Sequence, residues 1–485
     1  MQGKMGNSFA LRTDLYELNM MQTYVNRGLQ NKKVVFDLFF RKLPFGNGYA
    51  VFAGLESILD FVTGIKFAED DLEYLQTLGL FNARFLEVLS ELRFSGNIYA
   101  MREGEIIFPN EPVLTVEAPM IEALLIETSI LNIFNHETLI ATKASRIKQV
   151  TGENQVIEFG ARRGHGLDAS LYGARATYIA GFAGTSLVEA GKRFKIPVVG
   201  TMSHAFIQSF NSEIEAFRAY SEENRDNIIL LVDTYNTLRS GIPNTIKVAK
   251  ELEAKGIRIK AVRLDSGDLT YLSKEARKML DNEGLNYIKI VASSDLDENV
   301  ITDLKLQGAK IDIYAVGTRV ITAYDQPALG GVYKLVEVLD EERRIPKIKL
   351  SDNIEKIINP GRKKVFRIVN RKTGKAEADY ITRYDEELPR EGKDLLLFDP
   401  ISPWKKKTVK EYVAIELQKE VVKDGQRCGP PSDVEEARKL CAASLDLLWD
   451  EHKRRINPQT YFVDLSEKLW HLKKEMIERV INGAE

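Results

Sequence analysis

The sequence predicts an α/β protein built around an irregular parallel α/β barrel, and three observations carry that expectation. Six short apolar runs between residues 157 and 320 each stop at a small or charged cluster. These clusters are EFGARRGHG (158–166), VVGTMSHA (198–205), LLVDTYNT (230–237), VRLDSGDL (262–269), IVASSDLDE (290–298) and YAVGTRV (314–320). The runs are Val/Ile/Leu-rich, as strands buried on both faces must be. They alternate with helical segments such as SEIEAFRAYSEEN, TIKVAKELEAKG, SKEARKMLDNEG and DENVITDLKLQG, and Gly256, Gly284 and Gly308 fall where helices should stop. In parallel barrels ligands sit at the carboxyl ends of the strands, so six polar clusters in those positions imply one shared pocket.

Taken in order, residues 1–30 read as helical, with Thr13 or Asp14 as N-cap. Residues 34–44 read as a strand ending at Pro44, followed by a Gly-rich turn and a second helix. A helical stretch is expected over 67–95, β structure with turns at Gly104 and Pro109-Asn110 over 96–118, and a long buried helix over 121–150. Strands follow at 156–159, 196–200, 228–233, 257–264, 287–292 and 311–316, with 178–186 as a candidate for another. Residues 345–425, including KIKLSD (347–352), read as short strands and turns that return to pair with the N-terminal strands. Residues 433–485 read as helical, with a break near Asn457-Pro458. The resulting domains are 1–140, 141–340 with the catalytic loops, a β-rich 341–425, and a helical C-terminal extension over 426–485.

The chain has 485 residues, enough for two or three domains and a large core. Its formal charge of −2 gives no bulk basic field for nucleic acid or an anionic membrane. Basic clusters at 362–364, 405–407 and 454–455 read as solvated faces. No apolar stretch reaches the ~18 residues of a membrane span. The N-terminus lacks a charged region followed by an apolar one, so secretion is not indicated. Two cysteines, Cys428 and Cys441, make neither a disulfide framework nor a zinc site, and a cytoplasmic location is expected.

Several clusters carry side chains able to do chemistry. His204 follows a strand, where a neutral imidazole can serve as base, ligand or phosphate acceptor, and the plain alternative is a capping or hydrogen-bonded loop histidine. Arg263 and Asp265 share a face of an extended segment. The guanidinium suits a carboxylate or phosphate, while Asp265 and Asp268 suit Mg²⁺ or sugar hydroxyls, and the alternative is an internal ion pair with a Gly turn. Gly317 and Thr318 at a helix start can cup a phosphate, as can Ser293 and Ser294, although an N-cap is the simpler role for one of the serines. Phe159 beside Arg162 and Arg163 suits a flat anionic ligand, and the plain alternative is a core Phe beside surface arginines. His136, His452 and His471 read as structural. The Walker A and Rossmann fingerprints, HExxH and GxSxG are absent from these loops.

As a set, TDLYELN, FFRKLPFGNGYAVFAGL, EFGARRGHG, GTSLVEAG, GTMSHAFI, VRLDSGDL, VGTRV and LGGVYKLVE closely resemble nicotinate phosphoribosyltransferase over about residues 10–370. The resemblance implies an α/β sandwich domain fused to an irregular α/β barrel, with the active site at a homodimer interface. It implies synthesis of nicotinate mononucleotide and pyrophosphate from nicotinate and 5-phosphoribosyl 1-pyrophosphate. ATP would be a co-substrate coupled through phosphohistidine at His204; Mg²⁺ is the expected cofactor, at the leaving pyrophosphate, and no tightly bound organic cofactor is expected. Thr201 falls in the same substrate loop, and Arg263 matches the arginine at the nicotinate carboxylate or a nearby phosphate. Gly317 and Thr318 match the 5′-phosphate loop. Phe159 matches an aromatic that stacks on the pyridine ring, and Tyr16 matches the opposing aromatic that relatives supply from the second subunit.

Relatives that use nicotinamide carry Asp where this chain has Ser186, so the resemblance implies selectivity for the acid. Two other readings stay open: a nicotinamide- or quinolinate-using enzyme, and a non-catalytic barrel that binds a phosphorylated metabolite.

Overall fold

The computed structural model describes residues 9–341, 343–351, 357–388, 393–400 and 402–483. Two compact units emerge, one made of residues 1–139 and 328–485 and the other of 140–327. The fold is mixed α/β: a curled parallel half-barrel, additional sheets, and helices. No helix among the described residues is long and apolar enough to cross a membrane.

In the unit 140–327, six parallel strands run in the order Gly184–Thr185, Gln155–Glu158, Ile313–Val316, Lys289–Ala292, Ala261–Leu264 and Ile229–Leu231. All six are parallel. Their carboxyl ends, and the turns that follow, therefore lie on one side of the sheet. The interior face gathers Ile229, Ala261, Val291 and Ala315, with Phe159, Val199 and Ile313 packed against them. The expected strand over 196–200 is reduced to one bridge, Thr185 to Val198, because Pro197 has no N–H to donate. The expected strand over 178–186 shrinks to Gly184–Thr185. Helix Leu167–Ile179 runs to Ile179, and the chain then turns at Gly181, whose φ of +104° suits glycine.

The other unit centres on a seven-stranded sheet. Its order is Arg343–Pro346, Gly331–Asp340, Lys33–Phe40, Leu114–Pro119, Asn97–Ala100, Lys419–Lys423 and Gln426–Arg427. Lys33–Phe40 is buried from its second residue on, and Phe36 stacks on Tyr333 at 4.6 Å between centroids. A four-stranded sheet orders Tyr412–Glu416, Lys363–Asn370, Ala376–Arg383 and Val463–Leu465.

Where the elements depart from the sequence reading, local chemistry explains it. The N-terminal helix is Leu15–Asn26, and residues 1–8 lie outside the described residues. The stretch 67–95 divides into Glu69–Thr77 and Ala83–Glu91, because Gly79 turns left-handed and Asn82 caps the second helix by accepting from the Phe85 N–H at 2.9 Å. KIKLSD is not a strand over 347–351; pairing stops at Pro346, and Asp352 lies outside the described residues.

The C-terminal residues are tied in by a buried ionic network. Arg367 is fully buried and grips Asp379 through Nε at 2.9 Å and Nη2 at 2.6 Å, while Nη1 reaches Glu105 at 2.6 Å. Ser444 donates to the same Glu105 oxygen at 2.6 Å, and the Tyr461 hydroxyl donates to Asp379 at 2.9 Å. Helix Val434–Leu447 and the segment at Tyr461 are thus fixed to the paired strands.

Asp464, in strand Val463–Leu465, is buried and its Oδ1 has no hydrogen-bond partner. Burial, with Asp399 nearby, pushes its carboxyl up to about 7. A carboxyl raised on folding contributes stability that is full below its unfolded value and lost as pH rises through the folded one. Asp464→Asn should therefore gain Tm relative to the parent chain between pH 5 and pH 8, read by differential scanning calorimetry. An equal Tm difference at the two pH values would contradict this.

Candidate active site

The site is assembled from the turns that follow the parallel strands. Arg263, in strand Ala261–Leu264, alternates with Ala261 and so faces the interior, where its guanidinium lies 5.7 Å over the Phe159 ring. Its Nε donates to Ser293 Oγ at 2.9 Å, Nη1 to Thr201 Oγ1 at 3.1 Å, and Nη2 to Asp265 Oδ1 at 2.7 Å. Ser293 also donates to the same oxygen of Asp265 and to the Leu264 carbonyl. One side chain therefore joins the turns bearing Thr201, Asp265 and Ser293. The internal ion pair foreseen as the plain alternative is present, and it is part of a larger cluster.

His204 opens the short helix His204–Gln208, but it is not the cap: Ser203 Oγ accepts the Phe206 N–H at 3.3 Å. The imidazole is 41 % exposed, its Nδ1 lies 3.1 Å from Thr234 Oγ1, and its Nε2 lies 3.7 Å from Asp265 Oδ2 and 3.9 Å from Asp233 Oδ1. The imidazole and the Arg263 guanidinium thus flank the two oxygens of one carboxylate. Burial pushes the Asp265 carboxyl up, but the Ser293 hydroxyl, Arg263 and His204 outweigh it and hold it below the ordinary aspartate range. Asp265 is therefore ionised at neutral pH.

Asp233 and Thr234 escaped the sequence reading. The Asp233 side chain is 2 % exposed; Oδ2 accepts the Asp265 N–H at 3.1 Å and the Ser266 hydroxyl at 2.5 Å, while Oδ1 has no hydrogen-bond partner. The signal was available in LLVDTYNT, where an acid directly follows an apolar strand. Glu158 is a second such acid, closing the strand Gln155–Glu158 with no exposed surface.

The remaining candidates take varied positions. Asp268 is the N-cap of helix Leu269–Asn282 and accepts the Tyr271 N–H at 2.9 Å. Neither Ser293 nor Ser294 caps the next helix, as one of them was expected to. That cap is Asp297, whose Oδ1 accepts from Asn299 and Val300 at 2.8 and 2.9 Å. Ser294 (φ +90°) and Asp295 (φ +42°) are instead consecutive left-handed residues, a strained turn at a strand end.

Gly317 and Thr318 begin the four-residue helix Thr318–Ile321 beside the Phe159 turn, where a Cβ on Gly317 would come within 3.1 Å of the Phe159 carbonyl. Ser186, just beyond Gly184–Thr185, donates its N–H to the Glu158 carbonyl at 2.9 Å. Arg162 is exposed in the turn Ala161–Arg163. Tyr16 belongs to the other unit, half exposed in the first turn of Leu15–Asn26.

The cluster offers a part-exposed imidazole nitrogen facing two carboxylates, a guanidinium over an aromatic ring, and several hydroxyls. That arrangement can handle anions and a flat ring, with charge placed against a developing cation.

Known proteins place the chain. Residues 11–135 match the nicotinate phosphoribosyltransferase N-terminal domain, 154–366 the nicotinate phosphoribosyltransferase family, and 362–473 its C-terminal domain. The nicotinate phosphoribosyltransferase of Bacillus subtilis is 50 % identical over 479 residues, covering 99 % of this chain and 97 % of the relative. That of Caenorhabditis elegans is 36 % identical, covering 95 % and 92 %. The crystal structure of human nicotinic acid phosphoribosyltransferase superposes with a TM-score of 0.86 at 30 % identity, covering 96 % of this chain and 99 % of that one. On these matches the chain belongs to the nicotinate phosphoribosyltransferase family.

Proposed function

We propose that this protein forms nicotinate mononucleotide and pyrophosphate from nicotinate and 5-phosphoribosyl 1-pyrophosphate, with ATP hydrolysis coupled through phosphohistidine at His204. Family membership supports the reaction class. The observation that carries the site assignment is the shared carboxylate: Asp265 Oδ1 holds Arg263 at 2.7 Å while Oδ2 faces His204 Nε2 at 3.7 Å.

In this reading the pyridine nitrogen attacks C1 of the ribose as the C1–O bond to pyrophosphate breaks. The sugar passes through a cationic, oxocarbenium-like state. Positioning and charge placement then supply most of the rate. Phe159 and Tyr16 hold the ring plane, with Tyr16 reaching the site of a second copy in a homodimer. Arg263 and Arg162 orient anionic groups, Thr201 hydrogen-bonds within the substrate loop, and Gly317, Thr318 and Ser294 receive phosphate oxygens. Ser186 avoids the repulsion that an aspartate would impose on the carboxylate of nicotinate. Asp265, with Asp268 at the turn, takes ribose hydroxyls.

In the tautomer with the proton on Nδ1, His204 hydrogen-bonds to Thr234 Oγ1, 3.1 Å away, and the Nε2 lone pair is left for the γ-phosphoryl group of ATP. The N–P bond forms as the bond to ADP breaks, and water later releases phosphate. Phosphorylation changes the charge facing Asp233 and Asp265 and tightens substrate binding.

Asp265 is already held by Arg263 and Ser293, and Asp268 caps a helix. Among the described residues no three His, Cys, Asp or Glu side chains are grouped for a metal. These donors fit a Mg²⁺ carried mainly by pyrophosphate and water, with Asp265 Oδ2 able to hold a metal-bound water. Held there, Mg²⁺ would supply neutralising charge to the pyrophosphate. Both cysteines are unpaired, which supports a reducing, cytoplasmic setting.

Incubation with γ-labelled ATP should yield an acid-labile phosphoprotein that is lost in His204→Ala, while that variant keeps slow ATP-independent synthesis. Full ATP stimulation in His204→Ala would refute the assignment. Arg263→Ala should cost about 2–4 kcal/mol in kcat/KM, the range for losing charge-assisted contacts. A loss under about tenfold, ~1.4 kcal/mol, would count against it.

A further inference from the structure

We propose that Glu158 is a positioning residue for nicotinate recognition: its buried carboxylate ties the turn bearing Phe159 to the turn bearing Ser186. The proposal rests on the reading above that Phe159 stacks on the ring and Ser186 faces its carboxylate. Glu158 has no exposed surface, and no ion pair among the described residues includes it. One of its oxygens accepts the Gly160 N–H, next to Phe159. The other accepts the Thr185 hydroxyl at 2.6 Å, next to Ser186. Its own carbonyl accepts the Ser186 N–H at 2.9 Å. Thr185 Oγ1 in turn accepts the Leu187 N–H at 3.0 Å. Side chain and backbone of one residue thereby fix both turns.

The chemistry requires an acceptor on both oxygens. Gly160 offers an N–H, and Thr185 directs its proton toward Glu158. A carboxylate accepts from both donors, whereas an amide of the same shape accepts from only one: with its oxygen on the Gly160 N–H, its NH₂ faces Thr185, whose hydroxyl proton must then turn away from this site. Burying a carboxylate without a cation is costly. Burial does raise its pKa, with Thr185 and Gly160 pulling only partly the other way. An apolar residue would extend the strand at lower cost, so the acid is understood best by what it holds in place.

The test compares steady-state kinetics of the full-length protein with those of Glu158→Gln, Thr185→Val and Thr185→Ser, with folding checked by circular dichroism. Glu158→Gln and Thr185→Val should raise KM for nicotinate at least tenfold while KM for the phosphoribosyl donor changes less than threefold. Thr185→Ser, which restores the hydroxyl, should recover most of the loss. Equal changes in both KM values, or none, in a folded variant would overturn the role of Glu158. If Glu158→Gln does not fold, Thr185→Val decides by the same criterion. A parent protein that makes no nicotinate mononucleotide would instead overturn the functional reading itself.

Discussion

The ion pair between Arg263 and Asp265 is the interaction on which the rest of the site depends. A guanidinium offers donors in a rigid planar fork, so fixing one carboxylate fixes the direction of the remaining N–H groups. Here those groups reach Ser293 on one neighbouring turn and Thr201 on another. Asp265 is in turn anchored through its N–H to Asp233 and by the Ser293 hydroxyl, and it presents its second oxygen to His204. Parallel strands make this arrangement possible, because they bring residues far apart in the chain to one sheet edge. The pair is partly shielded from water, so its electrostatics are stronger than at an open surface.

The same sheet edge carries two acids whose burial is unfavourable in isolation. Asp233 keeps one carboxylate oxygen without a hydrogen-bond partner near His204, and Glu158 is buried without a cation. Charged groups in such places lower stability unless they are paired. Their position at strand ends, among turns and not in the packed interior, fits a site organised for charge more than for packing. The other unit has a comparable network at Arg367, where carboxylates from separate elements converge on one guanidinium. That network supports architecture: it holds helix Val434–Leu447 and Tyr461 against the paired strands.

Much of this was legible in the chain. The alternation of apolar runs with helices, and glycines at helix ends, located the half-barrel strands to within a few residues. The period-two geometry of VRLD placed Arg263 and Asp265 on one face, as observed. Less legible was anything set by a single backbone turn. Pro197 reduced an expected strand to a bridge, Gly79 ended a helix earlier than composition suggested, and the helix before Gly181 ran to Ile179, into an expected strand. The cap preceding Glu298–Leu306 went to Asp297 because its carboxylate reaches two N–H groups at once. Asp233 and Glu158 were visible as letters, but Asp265, Ser266 and Thr185, which they meet, lie on or just after other strands, and pairing across a sheet is not written in local spacing.

The most direct test of convergence is a double-mutant cycle between Thr201→Val and Ser293→Ala, read as kcat/KM for nicotinate mononucleotide formation. The two residues are far apart in sequence and meet through one guanidinium. If Arg263 joins their turns into one unit, the two losses should be non-additive, with a coupling energy of roughly 0.5–3 kcal/mol. Additivity within about 0.3 kcal/mol would mean that the turns act independently, and the account of a single gathered site would fail.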